Sequence, residues 1–139
     1  MATFNKFDSF TEAIAEKVHN LGSDVIKVML TNSAPSASNT VKANLTDIAA
    51  GNGYTAGGTQ SAQVTSAQTA GVYKLVLTDV VFTATGGSIG AFRYVVLYND
   101  TATNKELIGY YDYGSAITLN TGETFTVDFD ATNGVIQLQ

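Results

Sequence analysis

The chain has 139 residues, the size of one domain, and its lack of cysteine excludes disulfide and thiolate chemistry. Seven Lys and Arg against twelve Asp and Glu give a net charge of −5, so nothing concentrates the positive charge that a nucleic-acid backbone requires. Charged residues make up 14% of the chain, well below the usual share of about a quarter, which hints at surface covered by something else.

In chain order, an N-terminal arm and helix come first, over residues 1–22. Phe10, Ile14, Val18 and Leu21 form one apolar stripe, predicting an amphipathic helix over residues 9–21. Ser9 and Glu12 have the spacing of a capping box, and Asp8 adds negative charge at the positive helix end. Phe7 is placed to staple onto Ala13, and Gly22 to stop the helix. His19, the one histidine, lies off the stripe near the helix end and reads as a solvated residue.

From Gly22 the periodicity changes to two. Ile26, Val28 and Leu30 predict the apolar face of a strand over residues 24–31. Residues 32–71 read as a long Gly/Ser/Thr-rich excursion, and a loop of that length usually has a purpose. It holds the only proline, Pro35, then a segment 41–50 that reads equally as a short helix or an extended arm. A glycine-rich loop at 51–58 and a weak edge strand at 59–70 complete it.

Strands then follow one another. Residues 73–84 read as one long strand, broken by Gly86-Gly87, and residues 92–98 as a strand buried on both faces. Residues 106–113 and 116–119 read as two strands separated by Gly114. Asn120-Thr121-Gly122 signals a hairpin into residues 124–130. Asn133-Gly134 turns into a last strand with Ile136 and Leu138 inward and Val135 left at the turn. Short strands punctuated by Gly and Asn predict a mainly β domain, an antiparallel β-sandwich or barrel over residues 23–139, with one N-terminal amphipathic helix.

Chemistry-bearing patterns are few. Asp128, Asp130, Thr132 and Gly134 resemble a calcium loop, but the glycine falls one position late and Gln139 stands where Glu is required. Gly51–Gly58 lacks the Lys-Ser/Thr tail of a phosphate cradle and reads as a flexible or partner-ordered loop. No Ser-His-Asp or paired-carboxylate arrangement stands out, so the reading is of a non-enzyme without a cofactor or metal. The candidate partner-interface residues are the aromatics Phe4, Phe7, Tyr54, Tyr110, Tyr111 and Tyr113. The tyrosines with Asp112 suit a protein interface or a stacking platform for a surface glycan. Phe4 and Phe7 either cover the domain's own core or dock into a neighbour. The apolar runs are far shorter than the ~20 residues of a membrane span, and residues 1–8 have no secretory h-region, so synthesis in the cytoplasm is expected.

Whole segments resemble a family of small virion structural proteins encoded by tailed bacteriophages and prophages. They are Phe4–Gly22 (FNKFDSFTEAIAEKVHNLG), Lys27–Pro35 (KVMLTNSAP), Ile48–Gly58 (IAAGNGYTAGG), Phe92–Thr103 (FRYVVLYNDTAT), Leu107–Gly114 (LIGYYDYG) and Thr121–Gly134 (TGETFTVDFDATNG). The resemblance covers nearly the whole chain and carries no catalytic motif. It implies a structural protein made and assembled in the host cytoplasm and located in the virion. Among the stations in the particle it favours capsid decoration (cement), with the major capsid protein and further copies of itself as partners in a homo-oligomer such as a trimer. A tail component (tube, terminator or fibre-base protein) is the competing station, and a carbohydrate-binding module the competing class. The excursion and the Phe4/Phe7 arm are the expected clamps onto the shell.

Overall fold

The computed structural model describes residues 2–139. In chain order it contains β1 (Phe4–Lys6), α1 (Ser9–Ala15), β2 (Ile26–Thr31), a single 3-10 turn (Lys42–Asn44), β3 (Thr59–Ser61), β4 (Gln63–Thr69) and β5 (Val72–Leu77). β6 (Val80–Thr83), β7 (Ile89–Asn99), β8 (Leu107–Leu119), β9 (Thr124–Val127) and β10 (Ile136–Leu138) follow. The domain is mainly β and every strand pair is antiparallel. The sheets are a five-stranded one in the order β1-β8-β7-β2-β3, a three-stranded one in the order β10-β5-β4, and the pair β6-β9. These orders are open at both ends, so the barrel alternative falls. No helix among the described residues is long and apolar enough to cross a membrane.

The central strands of the five-stranded sheet, β2 and most of β7, are buried on both faces. Ile26, Val28 and Leu30 of β2, with Val95 and Leu97 of β7 and Ile108 of β8, share a core with Leu75, Leu77, Val80, Phe82, Val127 and Ile136 from the other strands. The opposite face has a smaller core of its own, in which Met29, Val96, Tyr98 and Leu107 pack with Phe7 and Leu45. Alternation predicted one apolar face for β2, yet Met29 and Thr31 on the other face are as fully buried as Val28. Burying each such apolar side chain contributes roughly 1.5–3 kcal/mol.

The second cover is the excursion, which is not polar throughout. Leu45 enters the smaller core, while Tyr54, 3% exposed, packs against Phe82 in the larger one. The Tyr54 hydroxyl accepts from the Leu30 amide at 3.1 Å and donates to Asp47 Oδ1 at 2.5 Å, while Asp47 Oδ2 accepts from the Gly57 amide at 2.5 Å. Tyr98 donates its hydroxyl to the Gly57 carbonyl at 2.6 Å. At Gly58, with φ +82°, a Cβ would collide with the Val28 carbonyl, so only glycine lets the loop lie this close to β2. The glycine-rich loop is thus ordered by the chain itself. Segment 41–50 resolves as the Lys42–Asn44 turn with extended chain around it. Residues 59–69 form β3 and β4, which pair with β2 and β5 respectively, so one stretch of chain passes from the large sheet to the small one.

Several boundaries differ from those expected. α1 ends at Ala15, well before Gly22, because Lys17 adopts φ +66°. The Lys17 amide bonds to the Ile14 carbonyl and the Val18 amide to the Ala13 carbonyl, which is a Schellman stop with lysine in the left-handed position. Asp8 occupies the N-cap without a side-chain bond, so the capping box is not made. Phe7 enters the smaller core and not a staple. Residues 72–83 are two strands in different sheets, parted at Thr78 and Asp79, where Asp79 accepts from the Phe129 amide. Conversely, β8 runs unbroken through Gly114. β9 leaves β8 to pair with β6, so Asn120–Gly122 turns between sheets. At the C-terminal end Val135 and Ile136 are buried, whereas Leu138 is 38% exposed.

A left-handed lysine has an obvious improvement. Lys17→Gly removes the Cβ penalty while leaving the helix stop in place, and should stabilise the fold by about 0.5–1 kcal/mol in denaturant titration. Leu45→Ala should cost about 2–4 kcal/mol and lower hydrogen-exchange protection in residues 41–58, because it removes the apolar anchor of the second cover.

Candidate functional site

β8 carries Tyr110, Tyr111, Asp112 and Tyr113 in succession. Alternation sends Tyr111 and Tyr113 to one face of the sheet and Tyr110 and Asp112 to the other. Tyr111 lies between Phe4, at 5.5 Å between ring centroids, and Phe129, at 6.2 Å. Tyr113 meets Phe125 edge-on at 5.0 Å, and Phe125 meets Phe92 in the same way at 5.0 Å. Tyr110 packs against Phe7 at 5.2 Å on the opposite face. β1 pairs with β8 so that the Phe4 ring crosses Gly109, where any Cβ would strike it. Each aromatic pair adds about 0.5–1.5 kcal/mol beyond its buried area.

Five of the six expected interface aromatics therefore converge on β8, and Tyr54 does not join them. Phe7 is 0% exposed and Tyr54 3%, so neither presents a face to a partner, which corrects their reading as interface residues. The N-terminal arm covers the domain's own core. Phe4, Tyr110, Tyr111 and Tyr113 are half-buried. Beside them Arg93 makes a two-pronged pair with Asp112, Nε to Oδ1 at 2.8 Å and Nη2 to Oδ2 at 3.1 Å, and its guanidinium lies 5.3 Å from the Tyr94 ring centre. The Arg93 bonds hold the Asp112 carboxyl below the usual carboxylate range. Tyr110 and this partly exposed ion pair share one face of β8, and polar groups of that kind are chemically suited to recognition. At the far end of the seam, Asp130 accepts from the Thr132 and Asn133 amides, each at 2.8 Å, and closes a turn on itself.

A second assembly was not anticipated. His19 is 5% exposed, not solvated, and its ring stacks on Phe10 at 5.4 Å. Termination of α1 at Ala15 turns the ring inward, where a helix continuing to Leu21 would have left it outside. His19 Nδ1 lies 3.0 Å from Asn99 Nδ2, and the same Asn99 Nδ2 donates to Asp24 Oδ2 at 2.6 Å. Asn99 Oδ1 accepts from the Thr101 and Ala102 amides at 3.0 and 3.1 Å, which fixes the orientation of its side-chain amide. With Nδ2 as donor, Nδ1 is the acceptor, and the neutral ring carries its proton on Nε2. Nε2 and Glu106 Oε2 are both buried and without a hydrogen-bond partner. Burial lowers the His19 pKa, against the opposing pull of Glu106 and Asp24. A groove of about 470 Å³ runs alongside, lined in part by Ile14, Lys17, Val18, His19 and Leu138. Asn99 lies 80 residues from His19 along the chain, so no local pattern could have announced this junction.

The tyrosines give the site a measurable alkaline signature. Burial pushes the Tyr111 hydroxyl up to about 12, with Tyr113 and Asp130 adding to the shift. Burial also raises Tyr113, Tyr54 and Tyr98, the last two further still. A phenol whose folded pKa exceeds its unfolded value loses its stabilising contribution as pH rises from about 10 through the folded value. Ultraviolet titration should therefore show Tyr54, Tyr98, Tyr111 and Tyr113 ionising late, together with alkaline unfolding. Tyr111→Phe should remove one late-titrating group. No family model, curated protein or solved structure matches this chain.

Proposed function

We propose that this chain is a structural protein of a tailed-phage particle and acts there as a capsid decoration protein, bridging shell subunits by symmetric non-covalent contacts. In this reading the two facing sheets form a β-sandwich, the partners are the major capsid protein and further copies of the chain, and the chemistry is binding without catalysis. The observation that carries the reading is β4. It is an edge strand of seven residues without a charged residue or proline, and it bears Val64 at 61% exposure. Soluble monomers usually blunt such edges with charge, proline or a covering loop, because unpaired backbone groups recruit other chains. An unblunted edge suits a protein that works in contact with neighbours. The sparse charge supports the same reading, since closely packed copies of a strongly charged domain would repel one another.

The resemblance to phage virion proteins supplies the particle, and the edge strand supplies the mode of contact. The test is the copy number of the protein in purified particles, measured by quantitative mass spectrometry against the major shell protein. Decoration predicts a ratio near one copy per shell subunit or one per few. A few copies per hundred would move the protein to the tail, and absence from particles would sink both stations. Val64→Lys, at a solvent-facing position, should leave the fold intact and reduce incorporation at least several-fold.

A further inference from the structure

The junction of His19, Asn99 and Asp24 has a property independent of the virion reading. The geometry points to a pH-sensitive clasp, in which protonation of His19 breaks the junction and frees the helix exit, residues 16–24, from the turn between β7 and β8. The argument begins with the proton's destination. The neutral ring already carries hydrogen on Nε2, so an added proton must go to Nδ1. That nitrogen faces the Asn99 amide donor at 3.0 Å. Two donors would then point at one another. Asn99 cannot resolve the conflict by rotating its amide, because Oδ1 holds the Thr101 and Ala102 amides and Nδ2 holds Asp24. Asp24 Oδ2 is also engaged by the Asn20 amide at 2.7 Å. A proton on Nδ1 thus costs the ring its partner, and relieving that conflict disturbs every bond in the junction.

Charge and burial act on the ring in opposite directions. Asp24, just before β2, and Glu106, just before β8, face the ring and favour the imidazolium. Lys17, at the helix exit, lines the adjoining groove, and the Leu107 backbone also favours the charged ring. Phe10 of α1 and Asn99 of β7, which touch the ring, carry no charge. The ring is nearly inaccessible to water, and burial outweighs the two carboxylates. The folded value therefore lies below the ordinary histidine value of about 6.5. The sign follows directly. The clasp is at full strength above about pH 6.5 and is lost as pH falls from there through the folded value. What opens is one wall of the groove, formed by Lys17, Val18, His19 and Leu21.

Because His19 is the only histidine, its ring can be followed without assignment ambiguity. Nuclear magnetic resonance on the full chain, from about pH 7.5 to about pH 5, reads both the ring and the amides. The expected result is an Nε2–H tautomer at neutral pH and a titration midpoint below about 6.5. Protection factors of residues 18–24 and of Thr101 and Ala102 should fall about tenfold per pH unit between 6.5 and the folded value. In His19→Asn the side-chain carbonyl takes the place of Nδ1 as acceptor, and those protection factors should become insensitive to pH over the same range. A midpoint at or above about 6.5, an Nδ1–H tautomer, or pH-independent protection in the unaltered chain would overturn the clasp. So would the same pH dependence in His19→Asn. Should that variant not fold, the tautomer and midpoint of the unaltered ring still decide the matter.

Discussion

Everything in this domain follows from a sheet that must be covered twice. β2 and β7 carry apolar side chains on both faces, and a strand of that kind is stable only when water is excluded from both sides. One cover comes from the strands of the smaller sheet and the pair β6-β9. The other has no regular structure available to it, so irregular chain does the work, held by Leu45 and by the hydroxyls of Tyr54 and Tyr98. Irregular chain over a core leaves backbone groups to satisfy. Asp47 meets that demand, accepting from Gly57 with one oxygen and from Tyr54 with the other.

That arrangement explains why some of the fold was legible in the sequence and some was not. The period of two in β2, the doubly apolar run of β7 and the terminal hydrophobics all gave strands, because burial on a sheet is a local, repeating pattern. The second cover was not legible. Asp47 and Tyr54 are common residue types, and their pairing with Leu30 and Gly57 depends on contacts between separate segments. Length also misled at two places in opposite directions. β-branched residues over 73–84 suggested one strand where a change of sheet at Thr78 and Asp79 makes two, and Gly114 suggested a break that β8 does not have. A glycine interrupts a strand only where its conformation or neighbours force the chain to turn.

The candidate site divides along the same line. The run of tyrosines in β8 was visible because it is contiguous, and its two-faced distribution follows from strand geometry alone. Which rings are hidden depended on β1 folding back across Gly109, and on Phe125 and Phe129 arriving from the other side. The outcome is that the aromatic mass mainly supports the interior, while the Arg93–Asp112 pair stays partly exposed at the surface. His19 failed the sequence reading for a related reason. The stripe from Phe10 to Leu21 fits a helix, but the chain leaves helical geometry at Lys17, and from that point helical periodicity no longer says which side chains face inward.

The stretch from Thr59 to Thr69 belongs to both large elements, pairing with β2 at its start and with β5 thereafter. A chain that crosses between two layers in this way acts mechanically as a cross-tie. Sliding one layer over the other would strip backbone hydrogen bonds at both ends of the tie together. Force applied to either sheet is thereby shared with the other through continuous backbone, and the domain answers stress as one body.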